Sequence, residues 1–162
     1  MLDSHELWMR HAIREAEKAL AENEVPVGAV VVFENCIVGR GHNQVETLQD
    51  PTAHAEILAI SAAANTLDSW RLDGCTLYTT LEPCAMCAGA IVLARISRLV
   101  FGAFDPKAGA CGSLRNVVQD ARLNHQVDVV SGVLEKEIAG LMQSFFHSLR
   151  ELKKQDKGEK MF

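Results

Sequence analysis

Apolar positions along this chain fall into two kinds of repeat. Met9, Ala12, Ile13, Ala16, Ala19 and Leu20 recur at helical spacing behind Asp3, and Asp3 with Glu6 three residues on has the form of a capped helix N-terminus. The valine-rich run Val25 to Phe33 and the shorter run Cys36-Ile37-Val38 flank the polar pair Glu34-Asn35, which predicts a hairpin. Gly39 and Gly41 near its end mark a bulge or a close approach of backbones. Asn43 to Asp50 is polar and reads as a loop. Asp50-Pro51-Thr52 predicts a helix start, with proline tolerated in the first turn, and the helix carries His54-Ala55-Glu56 to about Ala64. Cys75 to Leu81 reads as a strand. Pro83 opens a helix over Cys84 to Ala94, Leu99-Val100-Phe101 is a short buried strand, Asp105 to Ser113 is a glycine-containing loop, and Val127 to Val130 is the last strand. A final helix begins near Leu134, with Ile138, Leu141, Met142, Phe145, Phe146, Leu149 and Leu152 as its apolar face.

The resulting order, α-β-β-α-β-α-β-α-β-α, predicts an α/β fold, a three-layer α/β/α sandwich around a five-stranded mixed sheet. No repeat, low-complexity stretch or linker divides it. A chain of 162 residues is expected to form one domain, spanning 1-154, with a charged, frayed tail over 155-162. A hydrophobic content of 48% provides for a sizeable core. No apolar run approaches the ~20 residues that span a bilayer, so no membrane partner is expected. The first residues lack the pattern of an export signal, which makes the cytoplasm the expected location. A net charge of −5 speaks against a general nucleic-acid binder without excluding a local basic strip. Arg150, Lys153, Lys154, Lys157 and Lys160, set among Glu151, Asp156 and Glu159, read either as a solvated helix end or as a phosphate contact.

The chemistry concentrates in two pairs of residues. His54 and Glu56 open one predicted helix; Cys84 and Cys87 open the next, in Pro83-Cys84-Ala85-Met86-Cys87. Both helices follow sheet elements, so their N-termini can meet above the strands' carboxyl ends, where open α/β sheets place ligands. Residues three apart share a helix face, and a helix N-terminus favours the thiolate that a metal requires. His54, Cys84 and Cys87 then supply three zinc ligands and leave a fourth tetrahedral position open, the mark of catalytic zinc. Glu56 is not a ligand in this reading; it is placed to move a proton. A lone CxxC is also the signature of a redox pair, but such pairs usually lack a His-x-Glu helix and a proline before the first cysteine. The remaining cysteines, Cys36, Cys75 and Cys111, read as small buried or half-buried residues, and five cysteines with no export signal argue against a disulfide framework. Trp8 and Trp70 read as packing.

His-x-Glu followed by Pro-Cys-x-x-Cys is the established signature of the zinc-dependent base deaminases. The chain resembles the bacterial tRNA-specific adenosine deaminases, within the cytidine deaminase-like superfamily, from about Glu6 to Lys154. The resemblance is carried by Glu24-Val25-Pro26-Val27-Gly28-Ala29-Val30, by Asp50 to Glu56, by Thr80 to Gly89, by Asp105-Pro106-Lys107, by Gly112-Ser113-Leu114 and by the Phe145-Phe146 pair. Phe104, beside Asp105, stands where a more polar residue is expected, and Ala94 where a small polar one is.

The resemblance implies a hydrolase that converts adenosine to inosine at the wobble position of a tRNA anticodon, by zinc-activated water, with one Zn2+ per chain. It implies Glu56 as the proton carrier and His54, Cys84 and Cys87 as ligands. Asn43 would hydrogen-bond the base, Val27, Ala55 and Leu81 would line its pocket, and Asp105 would meet the substrate strand. The implied partners are the anticodon stem-loop of an arginine tRNA and a second copy of the chain. A deaminase of a free nucleobase or nucleoside, of guanine or cytosine type, would use the same zinc site. A structural zinc module would need a fourth protein ligand, which no nearby cysteine or histidine supplies.

Overall fold

The computed structural model describes residues 3–161, and within them five strands form one sheet in the order β2-β1-β3-β4-β5. The elements are α1 (Ser4–Ala21), β1 (Gly28–Phe33), β2 (Cys36–His42), α2 (Val45–Leu48), α3 (Ala55–Leu67), β3 (Thr76–Leu81), α4 (Ala85–Leu93), β4 (Arg98–Ala103), β5 (Asp128–Val130) and α5 (Glu135–Glu159). β1 runs antiparallel to both β2 and β3, while β3, β4 and β5 are parallel. The mixed sheet follows from the connections: a two-residue turn allows the antiparallel hairpin, and the crossover through α4 permits a parallel partner. Glu34 and Asn35 form that turn with φ of 48° and 62°, the left-handed pair that matches strand twist.

Strand alternation builds the two outer layers. Ala29, Val31, Leu77, Leu99 and Phe101 pack with Ala55, Ala59 and Ala63 of α3 and with Ala88, Ile91 and Val92 of α4. The intervening Val30, Val32, Tyr78 and Val100 face Met9, Ala12 and Ile13 of α1 and Ile138 of α5. The three-layer expectation is met. Gly39 and Gly41 are the expected close approach: a Cβ on either would overlap the α3 backbone, at the Ala59 and Ala55 carbonyls respectively. The irregularity of the hairpin lies instead between Val31 and Val32.

The structure departs from the expected elements at several points. The polar stretch Asn43 to Asp50 contains the short α2. The helix expected from Asp50 begins at Ala55, because the Asp50 carboxylate caps only a local turn through Thr52 N (2.8 Å) and Thr52 Oγ1 (2.7 Å). No helix lies between β4 and β5 among the described residues; a long loop with isolated bridges joins them. The tail expected to fray from residue 155 is helical to Glu159. Only Ile138 of the α5 face is fully buried, while Phe146, Leu149 and Leu152 are exposed. Cys36 and Trp70 are exposed as well, whereas Cys75 and Cys111 are buried as expected.

Candidate functional site

Both helix starts end in an extended residue. His54 is the N-cap of α3 (φ −78°, ψ 151°) and Cys84 the N-cap of α4 (φ −73°, ψ 177°), and neither side chain caps its own helix. The side chains face each other instead. His54 Nδ1 is 3.6 Å from Cys84 Sγ and 3.5 Å from Cys87 Sγ. All three donor atoms lie within 4.8 Å of one another, and they form a group that could hold a metal ion. Two helix N-termini converge here, and their partial positive charge favours thiolates. Cys84 is held down to about 3, first by the hydrogen bond with Cys87 and then by the one with His54. The same Cys84–Cys87 contact, with burial, pushes the Cys87 thiol up. His54 is raised, chiefly by its contact with the Cys84 sulfur. A cation bound in the triangle would take both sulfurs as thiolates.

Glu56, two residues into α3, is buried. Burial raises its pKa, against the opposing contact with Cys87 and the charge of His54. A carboxyl group whose pKa is raised by burial in such a place is suited to carrying protons in both directions.

The site opens into a cleft of about 730 Å³. Val27, Ala55 and Leu81 line it, together with His54, Glu56 and Cys84; Asn43 and Asp105 lie on its wall too. Asn43 is fixed by local bonds: its Nδ2 donates to the Val25 carbonyl (3.3 Å) and its Oδ1 accepts from Val45 N (3.1 Å). Asp105 Oδ1 accepts from Lys107 N (3.1 Å) and Ala108 N (3.2 Å), so one carboxylate oxygen holds the turn. Phe104 packs edge-on against Phe101, with ring centroids 5.1 Å apart. Phe145 and Leu149 of α5 complete the rim.

Three wall residues escaped the sequence reading. Glu24 is buried and accepts from Thr47 N (2.6 Å) and Thr47 Oγ1 (3.0 Å), tying α2 to the cleft. Glu22 pairs with His42 at 3.0 Å. Glu82, at the end of β3, is 2% exposed and receives hydrogen bonds from the loop that follows β4. Burial opposes ionisation of Glu82, but bonds from Ser113, Asp105 and Cys111 outweigh it and lower the pKa. A charged residue beside a strand end reads as solvated in sequence; only its place inside Glu82-Pro83-Cys84 could have pointed to it.

Comparison with known proteins places this geometry among deaminases. The model of the MafB19-like deaminase family matches residues 3–150. A tRNA-specific adenosine deaminase of Bacillus subtilis is 56% identical over 149 residues, with 92% of each chain covered. One from Haemophilus influenzae is 49% identical over 153 residues, covering 94% of this chain and 88% of the other. Among solved structures, a tRNA:A34 deaminase studied for A-to-I editing at the wobble position matches with a TM-score of 0.80 at 45% identity, over 83% of this chain and 98% of that one. The guanine deaminase of Nitrosomonas europaea matches with a TM-score of 0.76 at 27% identity, over 90% and 86%.

Proposed function

Since the chain belongs to the tRNA-specific adenosine deaminase family, we propose that it converts adenosine to inosine at the wobble position of a tRNA anticodon, as a single deaminase domain over 1-154. The observation that carries this reading is the His54–Cys84–Cys87 triangle beside a buried Glu56, at the floor of a cleft large enough for a nucleobase.

Zinc fits the donor set. A nitrogen at ~2.0 Å and a sulfur at ~2.3 Å from a tetrahedral centre are about 3.5 Å apart, and the two observed N–S separations are 3.6 and 3.5 Å. Two thiolates and one imidazole also match the ligand preference of zinc. The bound ion supplies Lewis acidity, making water acidic enough to lose a proton near neutral pH.

The rest belongs to the chain. Glu56 takes a proton from the attacking water and delivers it to the purine ring nitrogen as C6 gains a hydroxyl; it then takes the second proton from that hydroxyl and passes it to the amino group, so that the C6–N bond breaks and ammonia leaves. Val27, Ala55 and Leu81 give the base an apolar slot. Asn43, its amide oriented by Val25 and Val45, presents a polar edge to the purine. Asp105, with Oδ1 engaged in its turn, offers its second oxygen to the substrate strand.

An arginine tRNA is the proposed substrate and a homodimer the proposed assembly. The α4 surface supports the latter: Met86 and Leu93 are exposed, and a Cβ at Gly89 would meet open space. No helix among the described residues is long and apolar enough to cross a membrane, and the cytoplasm, where tRNA is found, is the proposed location. The test is incubation of the purified protein with whole tRNA and, separately, with free adenosine, guanine and cytosine. Inosine confined to position 34 of one tRNA is expected; ammonia released only from a free base or nucleoside would assign the chain to free-base or nucleoside deamination.

A further inference from the structure

The loop from Phe104 to Ser113 has no regular structure of its own, yet it carries Asp105 and Ala108 to the cleft wall. One side chain from outside the loop organises it. Glu82 Oε1 accepts from Asp105 N (3.0 Å), and Oε2 accepts from Cys111 N (3.1 Å) and Ser113 N (3.0 Å). The Ser113 hydroxyl also donates to Oε1. Four donors from both ends of the loop thus converge on one carboxylate that is 2% exposed. The loop runs directly over it: a Cβ at Gly109 would overlap the Glu82 carboxylate, so only glycine lets the backbone pass. On the far side, Ala110 N donates to the Pro83 carbonyl (2.8 Å), and Gly109 bridges to Cys84. The same short segment therefore carries the ligand Cys84 and the anchor of the opposite wall.

We propose that Glu82 is a positioning residue for the substrate, fixing Asp105 and its loop at a set distance from the Cys84 side of the reaction centre. The proposal rests on the tRNA deaminase reading and deepens it. Glu82 does not reach the substrate; it acts through the backbone of residues 105–113. Glutamine is the informative replacement because it keeps the shape. It replaces one acceptor oxygen by an NH2 group where two donors point at each oxygen, so two donors, at least one of them a backbone amide, lose their acceptor and face N–H groups instead.

The experiment compares zinc-loaded wild type with Glu82→Gln, Asp105→Asn and the double variant on an anticodon stem-loop. Glu82→Gln is expected to keep zinc and to raise KM by about tenfold or more, the loss of a charged hydrogen bond, with a smaller change in kcat. Because Glu82 acts through Asp105, the double variant should be little worse than the worse single one. Amide hydrogen exchange supplies a readout independent of activity: residues 105–113 should lose protection in Glu82→Gln while β3 and β4 keep theirs. Gly109→Ala, which pushes the loop off the carboxylate from the other side, should reproduce both effects and serves if Glu82→Gln does not fold. Additive losses in the double variant, or unchanged exchange of the loop, overturn the proposal. A wild type that makes no inosine in tRNA overturns the tRNA reading instead, and the exchange result then decides the role of Glu82 by itself.

Discussion

His54 Nδ1 lies 3.5 Å from Cys87 Sγ, although 33 residues and a whole strand separate them along the chain. The approach exists because α3 and α4 start at the same end of the sheet, each with an extended N-cap that leaves its side chain free. Cys87 is fully buried and Cys84 half-buried, so loss of the inner thiolate cannot be made good by solvent on that side. Cys87→Ser is expected to lose bound metal and turnover together, since a hydroxyl is a far poorer zinc ligand than a thiolate. Metal analysis of the purified variant checks this; full occupancy with full activity would remove Cys87 from the ligand set.

Glu56 offers the complementary case. It shares the first turn of α3 with the end that carries His54, and burial keeps its carboxyl pKa up. Glu56→Ala should retain metal and fold but lose turnover by about a hundredfold or more, the contribution expected of a positioned proton carrier. Single-turnover assays with saturating RNA measure the chemical step; activity within about tenfold of wild type would exclude the role.

The meeting of His54, Cys84 and Cys87 was legible because both pairs sit at helix starts that follow sheet elements, so the two starts share one end of the sheet. The sheet was legible because Ala29, Val31 and Leu77 alternate cleanly with Val30, Val32 and Tyr78. Local signals misled where tertiary packing decides. Asp50 does cap a turn, but the chain straightens before His54, which is what frees the imidazole. Phe146, Leu149 and Leu152 continue the apolar pattern of α5, yet only Ile138 reaches the core and those three stay exposed. Glu82 escaped because its donors lie on a loop far along the chain, and no periodicity encodes such a partner.

Thiol reactivity separates the five cysteines by environment. Cys36 is exposed, whereas Cys75 and Cys111 are buried. Burial raises both buried thiols, with nearby carboxylates adding to it, and Cys111 is pushed up to about 12. A raised thiol pKa leaves little thiolate at pH 8, and the thiolate is the nucleophile. Alkylation of the zinc-loaded protein at that pH should therefore modify Cys36 first and spare Cys75 and Cys111. Removing the metal with a chelator should add Cys84, half-buried at a helix N-terminus, ahead of the fully buried Cys87. Peptide mass mapping reads the order; early labelling of Cys111 would contradict its burial.

The exposed edge of α4 predicts how the chain assembles. Met86, Gly89, Ala90 and Leu93 fall on one stripe at helical spacing, with Leu93 70% exposed. Such a stripe, of small residues between larger apolar ones, permits close helix packing. A dimer is expected in solution, and Leu93→Glu should weaken it. Light scattering at micromolar concentration tests both; a single-chain mass for the wild type would count against the assembly.

Asp105 makes the sharpest prediction about substrate choice. A carboxylate near a phosphate backbone is repelled by it, so its presence on the cleft wall calls for a reason. One oxygen is engaged by Lys107 N and Ala108 N, which would suffice for a turn residue before Pro106. The other can accept a hydrogen bond from a ribose 2′-OH, the group that distinguishes RNA from DNA. DNA offers no donor there and leaves only the repulsion. Asparagine preserves the oxygen that holds the turn and removes the charge, so Asp105→Asn tests the second oxygen without disturbing the loop. Action on tRNA should weaken by about 1.5–3 kcal/mol, the range for a hydrogen bond to a charged group. Activity on a single-stranded DNA hairpin of the same loop sequence should rise, because the repulsion is gone. The ratio of kcat/KM on the two hairpins is the measurement; a ratio equal to that of the wild type would reduce Asp105 to a turn residue.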